Sequence, residues 1–162
     1  SSPPSAATMS EHSTQHRRLI VHGTPKPQGS KTLMPNGAML NAGTKQARLD
    51  FATWRNSIAA AAADSALNFG WCDWQAIDIA ICFRFPMPTS RPAKVREAGV
   101  AWKTSAPDLD KLIRTVGDAL QGTLIANDSK IVNWSATKLE VFNQWTGAEI
   151  VLRPAVTIPM VF

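Results

Sequence analysis

The segment "AIDIAICFRF", residues 76–85, carries the clearest structural signal in the sequence. Every second position of it holds a large apolar residue: Ile77, Ile79, Ile81, Phe83 and Phe85. The positions between them hold Asp78, Ala80, Cys82 and Arg84. A two-residue period places the two sets on opposite faces of a β-strand, so the segment predicts a strand with one buried face. Pro86 and Pro88 predict the end of that strand.

Further strands and a long helix are predicted on either side of this segment. "RRLIVHG" (17–23) predicts a first strand. From Lys45 to Leu67 apolar residues recur every three or four positions and alanine is frequent, a pattern that predicts a helix. "IVNWSATKLEVF" (131–142) and "AEIVLRPAV" (148–156) predict two strands, with "NQWTG" as a hairpin connection between them.

The element order predicts an α/β (α+β) fold: one two-layer domain, with a mixed sheet and two main helices packed on one side. The chain has 162 residues, 44% of them hydrophobic and 18% charged, which is a globular composition. The first 16 residues are rich in Ser, Pro, Ala and Thr and predict a flexible tail. Residues 17–162 are predicted to form the domain.

The net charge and the two cysteines give expectations for the partner and the cellular compartment of the protein. The net charge of +5 favours a polyanionic partner such as nucleic acid, although a basic protein without such a partner has the same composition. Cys82 lies inside the apolar strand pattern, which favours a buried free thiol and a reducing cytoplasm over a disulfide. No apolar run is long enough to span a membrane, so we expect a cytoplasmic protein.

Two polar connections carry positive charge. "GTPKPQGSKT" (23–32) has the wrong glycine spacing for a phosphate-binding P-loop and predicts a basic surface loop. "TSRPAKVREAGVAWKTSA" (89–106) is a long polar connection that includes Lys103. Five residues of these loops are candidates for contacts to a DNA backbone, with solvated surface charge as the alternative: Lys26, Lys31, Arg91, Lys94 and Arg96.

An acidic cluster lies within "PDLDKLIRTVGDALQGTLIANDSKIV" (107–132). Residues two apart on a helix face directions about 200° apart. Asp108 and Asp110 therefore converge only if the helix begins near Asp110, where an aspartate cap is favourable. The helix is predicted to run to about Leu120 with an apolar stripe on one side, and Gly122 lies just beyond it. The stripe consists of Leu112, Ile113, Val116 and Leu120.

Asp110, Arg114 and Asp118 follow one another at four-residue intervals, so they form a second stripe on the same helix. Carboxylates brought together repel one another, and a hard divalent cation such as Mg²⁺ or Mn²⁺ removes that cost. The alternative is that Asp110 is only a helix cap, that Asp118 only pairs with Arg114, and that Asp128 is only a turn residue.

The acidic segment resembles the RusA family of Holliday-junction endonucleases. The residues that carry the resemblance are "PDLDKL", "DAL", "NDSKIV" and Lys138, and "GTPKPQGSK" is similar to the family's N-terminal segment. The resemblance implies a small two-layer α/β homodimer that makes paired nicks across a four-way DNA junction. It implies that Asp108, Asp110 and Asp128 coordinate the metal, with a less certain role for Asp118.

The resemblance also implies catalytic roles for two basic residues. The sequence departs from the family pattern at three positions. Arg114 occupies the position of the family's catalytic lysine, and Lys138 matches a later lysine. Both are candidates for stabilising transition-state charge, but an arginine does not readily give up a proton. Asn127 replaces the first acid of a D-D pair, and Lys111 replaces an asparagine.

The resulting hypothesis is an Mg²⁺-dependent, structure-specific DNA endonuclease that acts in recombination and repair. Two alternatives remain: a non-catalytic protein that binds branched DNA on the same fold, and a small-molecule phosphohydrolase that uses the same acids. Trp54 and Trp134 are predicted in the core. Four other tryptophans are predicted in turns or loops, where one of them is a candidate wedge between base pairs: Trp71, Trp74, Trp102 and Trp145.

Overall fold

A five-stranded mixed sheet forms the centre of the protein. The computed structural model describes residues 15–29, 31–41 and 43–156. Its sheet has the order β1-β7-β4-β6-β5, with β4 and β6 parallel and the other pairs antiparallel. The strands are β1 (Arg17–His22), β4 (Ile77–Pro86), β5 (Val100–Trp102), β6 (Ile131–Val141) and β7 (Gly147–Pro154). The predicted mixed sheet is therefore confirmed.

Two long helices cover one face of this sheet. They are α1 (Lys45–Phe69) and α3 (Leu109–Leu120), and they contact each other. The apolar face of β4 is buried along its whole length, which confirms the alternation predicted from the sequence. Removing that face and the helix stripes from water stabilises the fold by roughly 1.5–3 kcal/mol for each large side chain. The helix residues buried against the strand include Trp54, Ile58, Leu112, Val116 and Leu120.

The connections of the chain differ from the prediction in several places. A two-stranded hairpin, β2 (Lys31–Leu33) with β3 (Met39–Asn41), begins at the end of the loop predicted over 23–32 and fills a stretch before α1 for which no strand was predicted. The connection predicted over 89–106 contains a short helix, α2 (Ala93–Ala98), followed by β5. Strands of three residues are too short to show a period, which is why the sequence gives no sign of them.

The connection between β6 and β7 is not a hairpin, contrary to the prediction. Both strands pair with β4 from opposite sides, so the chain crosses from one side of β4 to the other. β7 runs antiparallel to β4 and lies between β4 and β1, whereas β5 occupies the other edge of β6. The predicted break between the two strands is confirmed, but the predicted pairing of these strands with each other is wrong, because both pair with β4.

The second long helix begins earlier than predicted. Asp108, in an extended conformation with φ −68° and ψ 141°, is its N-cap, and Asp110 lies in its first turn. The side chain of Asp108 makes no capping hydrogen bond. The predicted end at Leu120 is confirmed. The correction by two residues matters for the site, because it places Asp108 before the helix and Asp110 on it.

Smaller predictions can also be compared with the structure. Cys72 and Cys82 are both free, as predicted, but Cys72 is the buried one and Cys82 is half-buried. Burial raises the pKa of the Cys72 thiol to about 11. Trp54 is in the core, whereas Trp134 is half-buried against it. Trp102 belongs to β5 instead of a loop and is exposed.

The described ranges contain no helix long and apolar enough to cross a membrane. The proposed tail falls mostly on residues 1–14, which lie outside the described residues. The separation of that tail from the domain at residue 17 stays a prediction.

Candidate active site

A cavity of about 210 Å³ collects three of the predicted acids and Arg114. We call it the acid cavity. It lies between α3, a 3₁₀ turn at Asp128–Lys130 and the beginning of β6. Asp110, Arg114 and Asp118 line it from three successive turns of α3, and Asp128 lines it from the 3₁₀ turn. Its remaining lining residues are Ile113, Gly117, Ile131 and Trp134.

The position of Asp128 follows from local hydrogen bonds. The side-chain oxygen of Asn127 accepts from the Ser129 amide at 2.9 Å and caps the 3₁₀ turn. The Asp128 amide donates to Oε1 of Gln121 at 3.2 Å, which ties the turn back to the end of α3. Asn127 therefore has a structural role here, as the cap of the turn that carries Asp128.

The charged groups of the acid cavity are free of protein partners. Within the described residues, the carboxylates of Asp110, Asp118 and Asp128 accept no hydrogen bond and form no ion pair, and Arg114 donates to none of them. This argues against the alternative in which Asp118 serves only as the helical partner of Arg114. The cap alternative for Asp110 also fails, because Asp108 occupies the cap.

Asp108 lies outside the acid cavity. Its carboxylate is 68% exposed, lies 3.8 Å from Nζ of Lys111, and lines a neighbouring cavity of about 470 Å³. Among the described residues, no three His, Cys, Asp or Glu side chains are close enough together to hold one metal ion. Neither the predicted trio of Asp108, Asp110 and Asp128 nor the three acids of the acid cavity therefore form a ready-made metal site in this structure.

Lys138 also lies apart from the acid cavity. Its Nζ donates to the carbonyl oxygens of Ser105 at 3.0 Å and Pro107 at 2.8 Å. These bonds fix the segment that carries Asp108 against β6, next to the cis peptide bond between Ala106 and Pro107. In this arrangement Lys138 acts on the backbone before α3.

The five residues predicted to contact DNA have different surroundings. Lys94 is exposed on α2, and Lys26 is half-buried beside the N-terminal half of α3. The guanidinium of Arg96 lies 6.0 Å from the centre of the Phe142 ring. Lys31 lies in β2, where the side chains are outside the described part of the structure.

Arg91 has a role that the sequence did not reveal. Its Nε and Nη2 donate to the two carboxylate oxygens of Glu140 at 2.8 and 2.9 Å. Glu140 is 1% exposed, and the hydrogen bonds from Arg91 hold the pKa of its carboxyl below the usual value despite burial. Because its charge is compensated there, Arg91 is a poor candidate for a DNA contact. The sequence contained one sign of this pair: Glu140 is an acidic residue in a partly apolar strand.

These features define a two-layer α+β protein, basic overall, with uncompensated carboxylates on one helix and the turn that follows it. The sequence model of the family Endodeoxyribonuclease RusA matches residues 22–153, a range that includes all four aspartates of the segment. The chain therefore belongs to the RusA family of endodeoxyribonucleases, and the resemblance stated above is confirmed. No curated protein matches the chain.

Proposed function

We propose that this protein is a metal-dependent, structure-specific DNA endonuclease that resolves Holliday junctions by paired nicks. One observation carries the proposal: in a member of an endodeoxyribonuclease family, Asp110, Asp118 and Asp128 line one cavity, and none of them has a partner among the described residues. Unpaired carboxylates in a shared cavity repel one another, and a bound cation is the simplest compensation.

The donor set fits Mg²⁺ or Mn²⁺, since it consists of carboxylate oxygens only. Asp110 and Asp128 are the proposed ligands in the acid cavity, with Asp118 as a further candidate. Asp108 remains a proposed ligand because its exposed carboxylate is two residues from Asp110 and is held only by the 3.8 Å contact to Lys111. When bound, such an ion polarises a phosphate oxygen and lowers the pKa of a coordinated water.

The remaining steps belong to residues of the chain. Arg114 lies between Asp110 and Asp118 on α3, where its guanidinium can bind a non-bridging phosphate oxygen and stabilise the charge that develops in the transition state. No base or proton-transfer role is proposed for it, because an arginine side chain does not readily give up a proton. Lys138 is proposed as a positioning residue, which acts by holding the Pro107 carbonyl and hence the segment with Asp108.

The substrate and assembly follow from the same proposal. A four-way junction has two equivalent strands to cut, so paired nicks require two active sites related by a two-fold axis, which a homodimer supplies. The net charge of +5 suits a polynucleotide, and Lys26, Lys94 and Arg96 remain proposed backbone contacts, with Lys31. The two free cysteines suit the cytoplasm as the proposed compartment.

A cleavage assay tests the nuclease. Purified protein is incubated with an end-labelled four-way junction, with and without Mg²⁺. We expect nicking with Mg²⁺ only, and a loss of about 100-fold or more in Asp110→Asn, since a metal ligand is removed without a change in size. Asp64→Asn, an exposed acid on α1, is the matched control and should cut normally. Nicking by Asp110→Asn at the wild-type rate would contradict the site.

A non-catalytic junction-binding protein on the same fold is the second candidate. The position of Asp108 outside the acid cavity favours it, together with the arginine at position 114. The same incubation distinguishes the two functions. Junction DNA that is retarded in a native gel but stays intact across a range of Mg²⁺ and Mn²⁺ concentrations would favour the binding protein.

A further inference from the structure

Beside the acid cavity lies a second cavity, of about 470 Å³, whose charge is opposite. We call it the lysine cleft. Lys26, Lys103 and Lys111 line it from three separate elements: the loop after β1, the end of β5 and the first turn of α3. Asp108 is the one acid among its lining residues. Of the three lysines, only Lys26 was predicted to contact a ligand.

The cleft is held in shape by hydrogen bonds that do not use its charges. The Gln28 amide donates to the Lys111 carbonyl at 3.2 Å, and the buried Thr115 hydroxyl lies within donating distance of two carbonyls, that of Lys111 at 3.2 Å and that of Lys26 at 3.4 Å. The Lys103 amide donates to the Lys138 carbonyl at 3.1 Å. The backbones of all three lysines are therefore anchored to α3 or β6, whereas their ammonium groups remain available.

The three ammonium groups have few competing partners. Lys103 Nζ donates to the Ser105 hydroxyl at 3.1 Å and lies 4.9 Å from the Phe85 ring centre. Within the described residues it forms no ion pair, and the Glu140 carboxylate, whose field reaches it, is already hydrogen-bonded to Arg91. Lys111 is 49% exposed and has only the 3.8 Å contact to Asp108. Within the described residues Lys26 has no ion pair. The cleft therefore has an excess of positive charge.

Two further features indicate what would occupy the cleft. Apolar rings form part of its walls, from Pro25, Pro27, Phe85 and Pro107. The N-terminus of the twelve-residue α3 also opens beside it, and the Asp108 side chain does not cap that end. Positive charge, free amides of a first helical turn and apolar walls together suit a phosphate with an attached sugar.

We propose that the lysine cleft binds the phosphodiester next to the one that is cut, and so positions the DNA strand across the acid cavity. The proposal rests on the endonuclease function proposed above. It follows from the arrangement on α3: the first turn faces the lysine cleft through Asp108 and Lys111, and the same turn supplies Asp110 to the acid cavity. A strand that spans both cavities places one phosphate at each.

The salt dependence of junction binding tests the cleft without cleavage. The affinity of a fluorescently labelled four-way junction is measured by anisotropy in EDTA at several salt concentrations. Loss of one phosphate contact lowers the slope of log K against log salt by about 0.9 and weakens binding roughly three- to ten-fold at 0.1 M salt. We expect this change in Lys111→Gln and separately in Lys26→Gln, while Lys111→Arg keeps the wild-type slope.

The control removes a positive charge elsewhere. Arg18 is 61% exposed, pairs with Glu149 and lies on the sheet face away from the helices, so Arg18→Gln should leave the slope unchanged. A wild-type slope in Lys111→Gln and Lys26→Gln overturns the proposal. An equal decrease in Arg18→Gln also overturns it, because net charge alone would then explain the effect. A wild-type protein that binds but never nicks with Mg²⁺ contradicts the nuclease function, and the lysine comparison still decides the cleft.

Discussion

Acidic side chains occur in two different environments in this protein. The carboxylates of the acid cavity have no partner in the part of the chain that the structure describes, whereas Glu140 is buried and receives two hydrogen bonds from Arg91. A buried carboxylate without such a partner would lose several kcal/mol of solvation. The Arg91 pair therefore compensates the buried charge at the end of β6, and it gives Arg91 a structural partner, while its predicted DNA contact stays a prediction.

Glu140→Gln should lower the stability of the fold by about 1–3 kcal/mol, because the buried charge-assisted hydrogen bonds to Arg91 are lost. The folded-state pKa of Glu140 lies below its ordinary value, so its contribution is present above the unfolded-state pKa of about 4.5 and is lost as the pH falls through the folded-state pKa. Thermal unfolding from pH 3 to 7 measures it. The difference in melting temperature between wild type and variant should be largest near neutral pH and should shrink in acid.

Glu149→Gln is the matched control for this experiment. Glu149 pairs with Arg18 at 3.0 Å, but both side chains are substantially exposed, and such pairs contribute about 0–1 kcal/mol. Its melting temperature should stay close to that of the wild type. A difference between Glu140→Gln and wild type that stays constant from pH 7 to pH 3 would contradict the assignment to the Glu140 charge.

Whole elements show what the sequence predicts well. The β4 strand and the two long helices were predicted because each is long enough to show its period, 2.0 or 3.6, several times. β2, β3 and β5 have three residues each and were missed. The β6–β7 connection was misread for another reason: a turn signal shows that the chain reverses, but strand partners depend on contacts far along the sequence, here with β4.

The pairing of β1 with β7 depends on one glycine. Gly147 has φ +141°, and a Cβ atom placed there would approach the carbonyl oxygen of Val21 to 1.8 Å. Gly147→Ala should therefore destabilise the protein by about 3 kcal/mol or more, since both the backbone conformation and the strand spacing oppose a side chain. Chemical denaturation measures the change.

Gly122→Ala is the control for that substitution. Gly122 also has a positive φ, of +79°, but nothing lies within 4 Å of the position that its Cβ would take. The expected cost is about 1 kcal/mol, from backbone conformation alone. Equal losses in the two variants would mean that the contact with Val21 has no energetic weight.

At the scale of the molecule, the candidate site was predictable where one element supplies it. Asp110, Arg114 and Asp118 share a helical stripe, and the turn with Asp128 follows that helix closely, so these four line one cavity. Asp108 does not join them because the helix begins at Leu109, which leaves Asp108 on the side of the lysine cleft. The lysines of the cleft are up to 85 positions apart in sequence, from Lys26 to Lys111, and no local pattern indicates such a meeting.

The proposed homodimer makes a prediction that concerns two copies of the chain. Wild-type and Asp110→Asn chains are co-expressed with different tags, and the mixed dimer is purified and given a supercoiled plasmid with an extruded cruciform. Wild-type dimers should cut both strands and release linear DNA. The mixed dimer has one intact active site, so it should nick one strand and leave an open circle, because each site acts on its own strand across the two-fold axis.

Unseparated mixtures extend the test with a quantitative expectation. If equal amounts of the two chains pair at random, about a quarter of the dimers have two intact sites, so linear product should fall to about a quarter while total nicking falls only to about half. A fall of linear product to half, in step with total nicking, would mean that a single chain makes both cuts. In that case paired cleavage would come from one site acting twice, and the homodimer would not be needed for resolution.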